Sequence, residues 1–75
     1  MKLSEMSAGD SGTVTGIAKC EREYRQKLLR MGLVRGVNFT MVRKAPLGDP
    51  VEIETDSQKI SLRAKEAEVL LVEKN

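Results

Sequence analysis

The side chains able to do chemistry in this 75-residue sequence are mainly carboxylates, joined by one thiol. Asp49, Glu52, Glu54, Asp56, Glu66 and Glu68 could supply oxygen ligands. Glu52 and Glu54 fall on the same side of an extended strand, where they could hold a hard cation. Acids that alternate along a strand are far more often its solvated face, and no second ligand class supports a metal site. Histidine is absent, which removes the commonest general base and the commonest metal ligand. Neither a Ser–His nor a Cys–His nucleophile pair can be assembled. Cys20 stands alone, so one chain forms no disulfide and no thiolate metal site. It reads as a small residue near a strand-to-helix junction, in keeping with a reducing cytosol. The glycines form neither a phosphate-binding loop nor a dinucleotide fingerprint. These residues predict a protein that is not an enzyme, carries no cofactor and works by binding a partner.

The remaining chemistry is electrostatic. Net charge is +2, but residues 19–44 carry eight basic and two acidic side chains, a local balance of +6. Residues 45–75 balance at −3 and residues 1–18 at −1. Arg22, Arg25, Lys27 and Arg30, with Arg35, Arg43 and Lys44 nearby, make a basic patch that can steer an acidic partner. A solvated helix face is the simplest account of it, with docking on an acidic protein close behind. Nucleic acid comes third, because one Tyr and one Phe provide no platform for stacking bases.

The elements that position these residues are short. Ala8 to Gly12 reads as a turn, and Thr13 to Lys19 as a strand in which Gly16 marks a bulge or a close backbone approach. Arg22 to Met31 is the one convincing helix, with Tyr24, Leu28 and Met31 on one face and Leu29 to its side. Glu23 and Lys27 are spaced for an i,i+4 ion pair. Gly32 suits the left-handed residue that ends a helix, with Leu33 packing back on Leu28 in a Schellman closure. Strands follow over Val37 to Lys44, Val51 to Thr55, Gln58 to Leu62 and Glu68 to Glu73, with a helical turn at Arg63 to Ala67. The loop Ala45-Pro46-Leu47-Gly48-Asp49-Pro50 reads as a rigid turn with Leu47 at its tip. Five short strands in so few residues predict a mostly β fold, a small and highly bent barrel with one helix inserted after the first strand.

A chain of this length suits one domain spanning residues 1–75. The longest unbroken aliphatic run, Val69 to Val72, is far short of the ~20 residues that cross a bilayer, so no membrane insertion is expected. No signal peptide is visible at the N-terminus, and a cytoplasmic location is expected.

The run from Tyr24 to Leu33 with Gly36 following, the loop from Ala45 to Pro50 followed by Val51-Glu52-Ile53, and Leu62-Arg63 with Glu66-Ala67 together resemble the FeoA family. The likeness covers essentially the whole chain, with Met31 standing where a leucine is frequent. It implies an SH3-like barrel. It further implies an accessory role in bacterial ferrous iron uptake, through contact with the membrane transporter FeoB and its cytosolic GTPase domain. On that reading the expected contact residues are Arg25, Leu29 and Arg30 on the helix, with Leu47 and Asp49 on the loop. Leu28 belongs to the core. The competing expectations are a nucleic-acid-binding barrel, a metal-linked regulatory module, and a direct iron carrier using the acids of residues 49–56. Weak self-association through an exposed leucine or a sheet edge is a further expectation.

Overall fold

Each stretch in which apolar and polar residues alternate becomes a strand. The computed structural model describes residues 1–75. Its elements are β1 (Ser11–Ile17), α1 (Arg22–Arg30), β2 (Asn38–Lys44), β3 (Val51–Glu54), β4 (Lys59–Leu62), α2 (Ala64–Val69) and β5 (Leu70–Lys74). A short 3-10 turn, Leu3–Glu5, precedes them. The strands form one antiparallel sheet in the order β4-β3-β2-β1-β5. Phe39 and Met41, Val51 and Ile53, Ile60 and Leu62, and Leu70 and Val72 send their side chains into one cluster with Val14, Leu28 and Leu33. Both edge strands feed that cluster, so the sheet must bend around it, and α2 joins one edge to the other. Register shifts between Val14 and Gly16 and between Met41 and Arg43 supply the bends.

Several expected boundaries move. The first strand begins two residues early because Ser11 and Gly12, which read as turn residues, pair with Thr40 and Phe39. The last strand begins at Leu70 instead of Glu68 because α2 continues to Val69. Gly16 does mark a bulge, but the close backbone approach lies at Gly12. A Cβ there would sit 2.7 Å from the Glu73 carbonyl oxygen, whereas nothing lies within 4 Å of one at Gly16. The N-terminal lead-in is part of the core: Leu3 and Met6 are buried, and Met1 and Lys2 pair with the outer edge of β5.

Candidate docking site

The surface of interest is built by the way α1 ends. Gly32 takes φ +82, and the Leu33 N–H bonds to the Leu28 carbonyl while the Gly32 N–H bonds to that of Leu29. This is the expected Schellman closure, with Leu28 and Leu33 both fully buried. The Gln58 side-chain amide donates to the Met31 carbonyl at 2.7 Å, so another orphan acceptor of the helix end is satisfied from β4's approach. Once Leu33 has entered the core, Val34 and Arg35 are left beside α1. Val14 holds them there, its N–H bonding to the Val37 carbonyl and its carbonyl accepting from Gly36, both at 2.8 Å.

The result is a groove of about 200 Å³ lined by Gly16, Ile17, Arg25, Leu29, Leu33, Val34 and Arg35. Leu29 is 41% exposed and Val34 45%, so two aliphatic side chains share one patch of surface. Arg25 and Arg35 stand at its rim. Neither takes part in an ion pair, the three present being Lys2–Glu68, Lys27–Glu66 and Lys74–Asp10. No carboxylate lines the groove.

The residues expected to form one contact surface are therefore divided. Arg25 and Leu29 come together in the groove, joined by Arg35, expected only as part of the wider basic patch, and by Val34, which the sequence did not single out. A partial signal was present: the Schellman leucine folds back against the helix, and Val34 and Arg35 follow it directly in the chain. Arg30 is exposed at the last position of α1 but lies roughly 140° around the helix from Arg25 and outside the groove. Leu47 stands at the tip of the β2–β3 loop, 95% exposed. Asp49 lines a separate cleft with Glu23, Tyr24, Lys27, Arg63, Lys65 and Glu66, and its Oδ1 accepts from the Ala64 N–H at 3.3 Å.

That cleft contains the one buried charge. Glu66 is 2% exposed; its Oε2 lies 2.6 Å from the Lys27 Nζ, and its Oε1 accepts from the Arg63 N–H at 2.8 Å. Burial pushes its pKa up, but the Lys27 ammonium and the Arg63 N–H together outweigh burial and hold it below the ordinary value. The expected Glu23–Lys27 pair does not form, because Lys27 turns toward the buried carboxylate, where an ion pair is less screened. Lys27 is thereby withdrawn from the basic row. No three of the Asp, Glu or Cys side chains converge on a point where a metal ion could sit, and Glu54 and Asp56 share an open hollow with hydroxyl and amide side chains.

Fold and surface together define a small SH3-like barrel with a basic-rimmed apolar groove beside its inserted helix. The FeoA domain family model matches residues 1–74, and the chain belongs to this family. It is 43% identical to the FeoA protein of Chlorobium tepidum, whose solution structure superposes with a TM-score of 0.86 over 99% of this chain and 70% of that one. Stenotrophomonas maltophilia FeoA, solved with zinc and described as a prokaryotic SH3-domain protein proposed to activate ferrous iron transport, is 28% identical. Its TM-score is 0.83 over 97% of this chain and 89% of that one. Among curated proteins, a Porphyromonas gingivalis fusion of Fe(2+) transport protein A and the Fe(2+) transporter FeoB is 36% identical over 73 residues. The match takes in 97% of this chain but only 8% of the fusion. The family serves ferrous iron transport. No helix of this chain is long and apolar enough to cross a membrane.

Proposed function

We propose that this chain is a non-enzymatic accessory protein of ferrous iron uptake, acting in the cytoplasm by docking on the transporter FeoB. The observation that carries this reading is the groove. Two exposed aliphatic side chains, Leu29 and Val34, share it with two arginines that have no ion-pair partner within the chain. A surface of this kind is stabilised when another chain covers it. The fusion in Porphyromonas gingivalis supports the choice of partner, since it holds an FeoA-like segment and FeoB in one polypeptide. Arg25 and Leu29, with Val34 and Arg35, form the main contact. Arg30 contributes long-range attraction, and Leu47 with Asp49 forms a second point of contact on the loop.

The test is the affinity of the purified chain for full-length FeoB and, separately, for its cytosolic GTPase domain, with nucleotide present. The wild-type chain binds the full transporter, and Leu29→Asp weakens binding by ~10-fold or more, equivalent to ~1.4 kcal/mol, without loss of fold. No binding of the wild-type chain to either bait overturns the reading.

A further inference from the structure

The walls of the groove are already fixed in the free chain. Gln58 holds the end of α1, Val14 holds the exit turn, and Leu33 anchors the floor from inside the core. A preorganised site loses little conformational freedom on binding. The volume of about 200 Å³ is below the ~300–1,000 Å³ typical of small-molecule pockets. It suits one bulky side chain. The lining is aliphatic, from Ile17, Leu29, Leu33 and Val34, with no aromatic ring on which a base could stack. Two guanidiniums rim it, one carried by α1 and the other by the exit turn, and each is free to take a carboxylate in a bidentate fork.

We propose that the groove is a receptor for an acidic protein segment that inserts one bulky apolar side chain between Leu29 and Val34 and places carboxylates on Arg25 and Arg35. The proposal rests on the docking reading for the identity of the partner only; the chemistry of recognition stands on the groove itself. Phosphates would engage the two arginines equally well, but they would leave the aliphatic floor uncovered. An apolar segment without acids would cover the floor and leave two charges partly desolvated, which is unfavourable. Only a segment with both features satisfies the surface.

The experiment follows backbone amide signals of the isotopically labelled chain by NMR during titration with four probes. These are an acetylated peptide of sequence Glu-Asp-Leu-Glu-Asp, the same peptide with central serine, its lysine counterpart Lys-Lys-Leu-Lys-Lys, and an oligodeoxythymidylate. The acidic leucine peptide is expected to shift Ile17, Arg25, Leu29, Val34 and Arg35 and to bind ~10-fold more tightly than the serine or lysine peptide. Arg25→Glu combined with Arg35→Glu abolishes those shifts with signal dispersion intact, and weakens FeoB binding by a similar factor. Equal responses to the leucine and serine peptides overturn the proposal, as do tighter binding of the oligonucleotide or no response at the groove to any probe. Groove binding by the acidic leucine peptide in a chain that ignores FeoB would retain the recognition chemistry and discard the transporter as its partner. FeoB binding unaffected by the double reversal would show that the transporter docks elsewhere.

Discussion

Lys27→Met removes the one cation that touches the buried carboxylate of Glu66, while methionine keeps an unbranched side chain, one heavy atom shorter, and a similar helix propensity. Removing one partner of a fully buried ion pair costs ~3–5 kcal/mol. Here the Lys27 side chain is half in water, and Glu66 keeps its bond from the Arg63 N–H. The expected loss at neutral pH is therefore smaller, about 2 kcal/mol, which for a chain of this size lowers Tm by about 8–16 °C. The pH dependence separates charge from packing. Because the folded pKa of Glu66 lies below its ordinary 4.5, the stability it contributes is present above that value and is lost as pH falls through the folded pKa. Asp10, held low chiefly by the Ser7 N–H, and Glu68, held low chiefly by the Ser4 hydroxyl, titrate alike in both proteins and cancel in the comparison. The assay is urea unfolding followed by circular dichroism from neutral pH down through 4.5. The gap between wild type and Lys27→Met narrows as the medium becomes acidic. A gap that stays constant across that range would refute the electrostatic reasoning and assign the loss to packing.

Two further contrasts test the fold and the site. Gly12→Ala destabilises by ~1–3 kcal/mol, since its Cβ meets the Glu73 backbone oxygen, whereas Gly16→Ala, with open space around it, is neutral within ~0.5 kcal/mol; denaturant midpoints decide both. Leu28→Ala costs ~2–5 kcal/mol because it empties a fully buried position. Leu29→Ala, one residue on, changes stability by no more than ~0.5 kcal/mol and shows its effect in FeoB binding instead.

Much of this fold is legible in the chain because its cues are local. Alternation in Val37 to Lys44 places Phe39 and Met41 inside, and the Leu28, Gly32, Leu33 spacing announces the Schellman closure realised in the structure. The misreadings arise where a distant contact decides. Ser11 and Gly12 look like turn residues and become strand only because Thr40 and Phe39 pair with them. Leu3 and Met6 carry no readable period, yet β5 draws the N-terminus against itself and buries them. Lys27 had a plausible partner one turn away in Glu23, and folding supplied a better one 39 positions along, in Glu66. The site was legible in the same proportion. Arg25 and Leu29 share a helix flank by simple spacing, but their union with Val34 and Arg35 depends on the reversal at Gly32. The separation of Leu47 and Asp49 from them depends on the whole barrel.

The proposed docking of FeoB on the α1 groove can be tested by site-specific photo-crosslinking. Leu29→p-benzoylphenylalanine and, as the comparison, Leu47→p-benzoylphenylalanine are introduced into otherwise wild-type chains and irradiated in membranes containing FeoB. Docking on the groove predicts a FeoB adduct from position 29, lost when Arg25 and Arg35 are reversed to glutamate, and a weaker adduct from the second contact at position 47. An adduct formed from position 47 alone, or one from position 29 that survives the charge reversal, would contradict it.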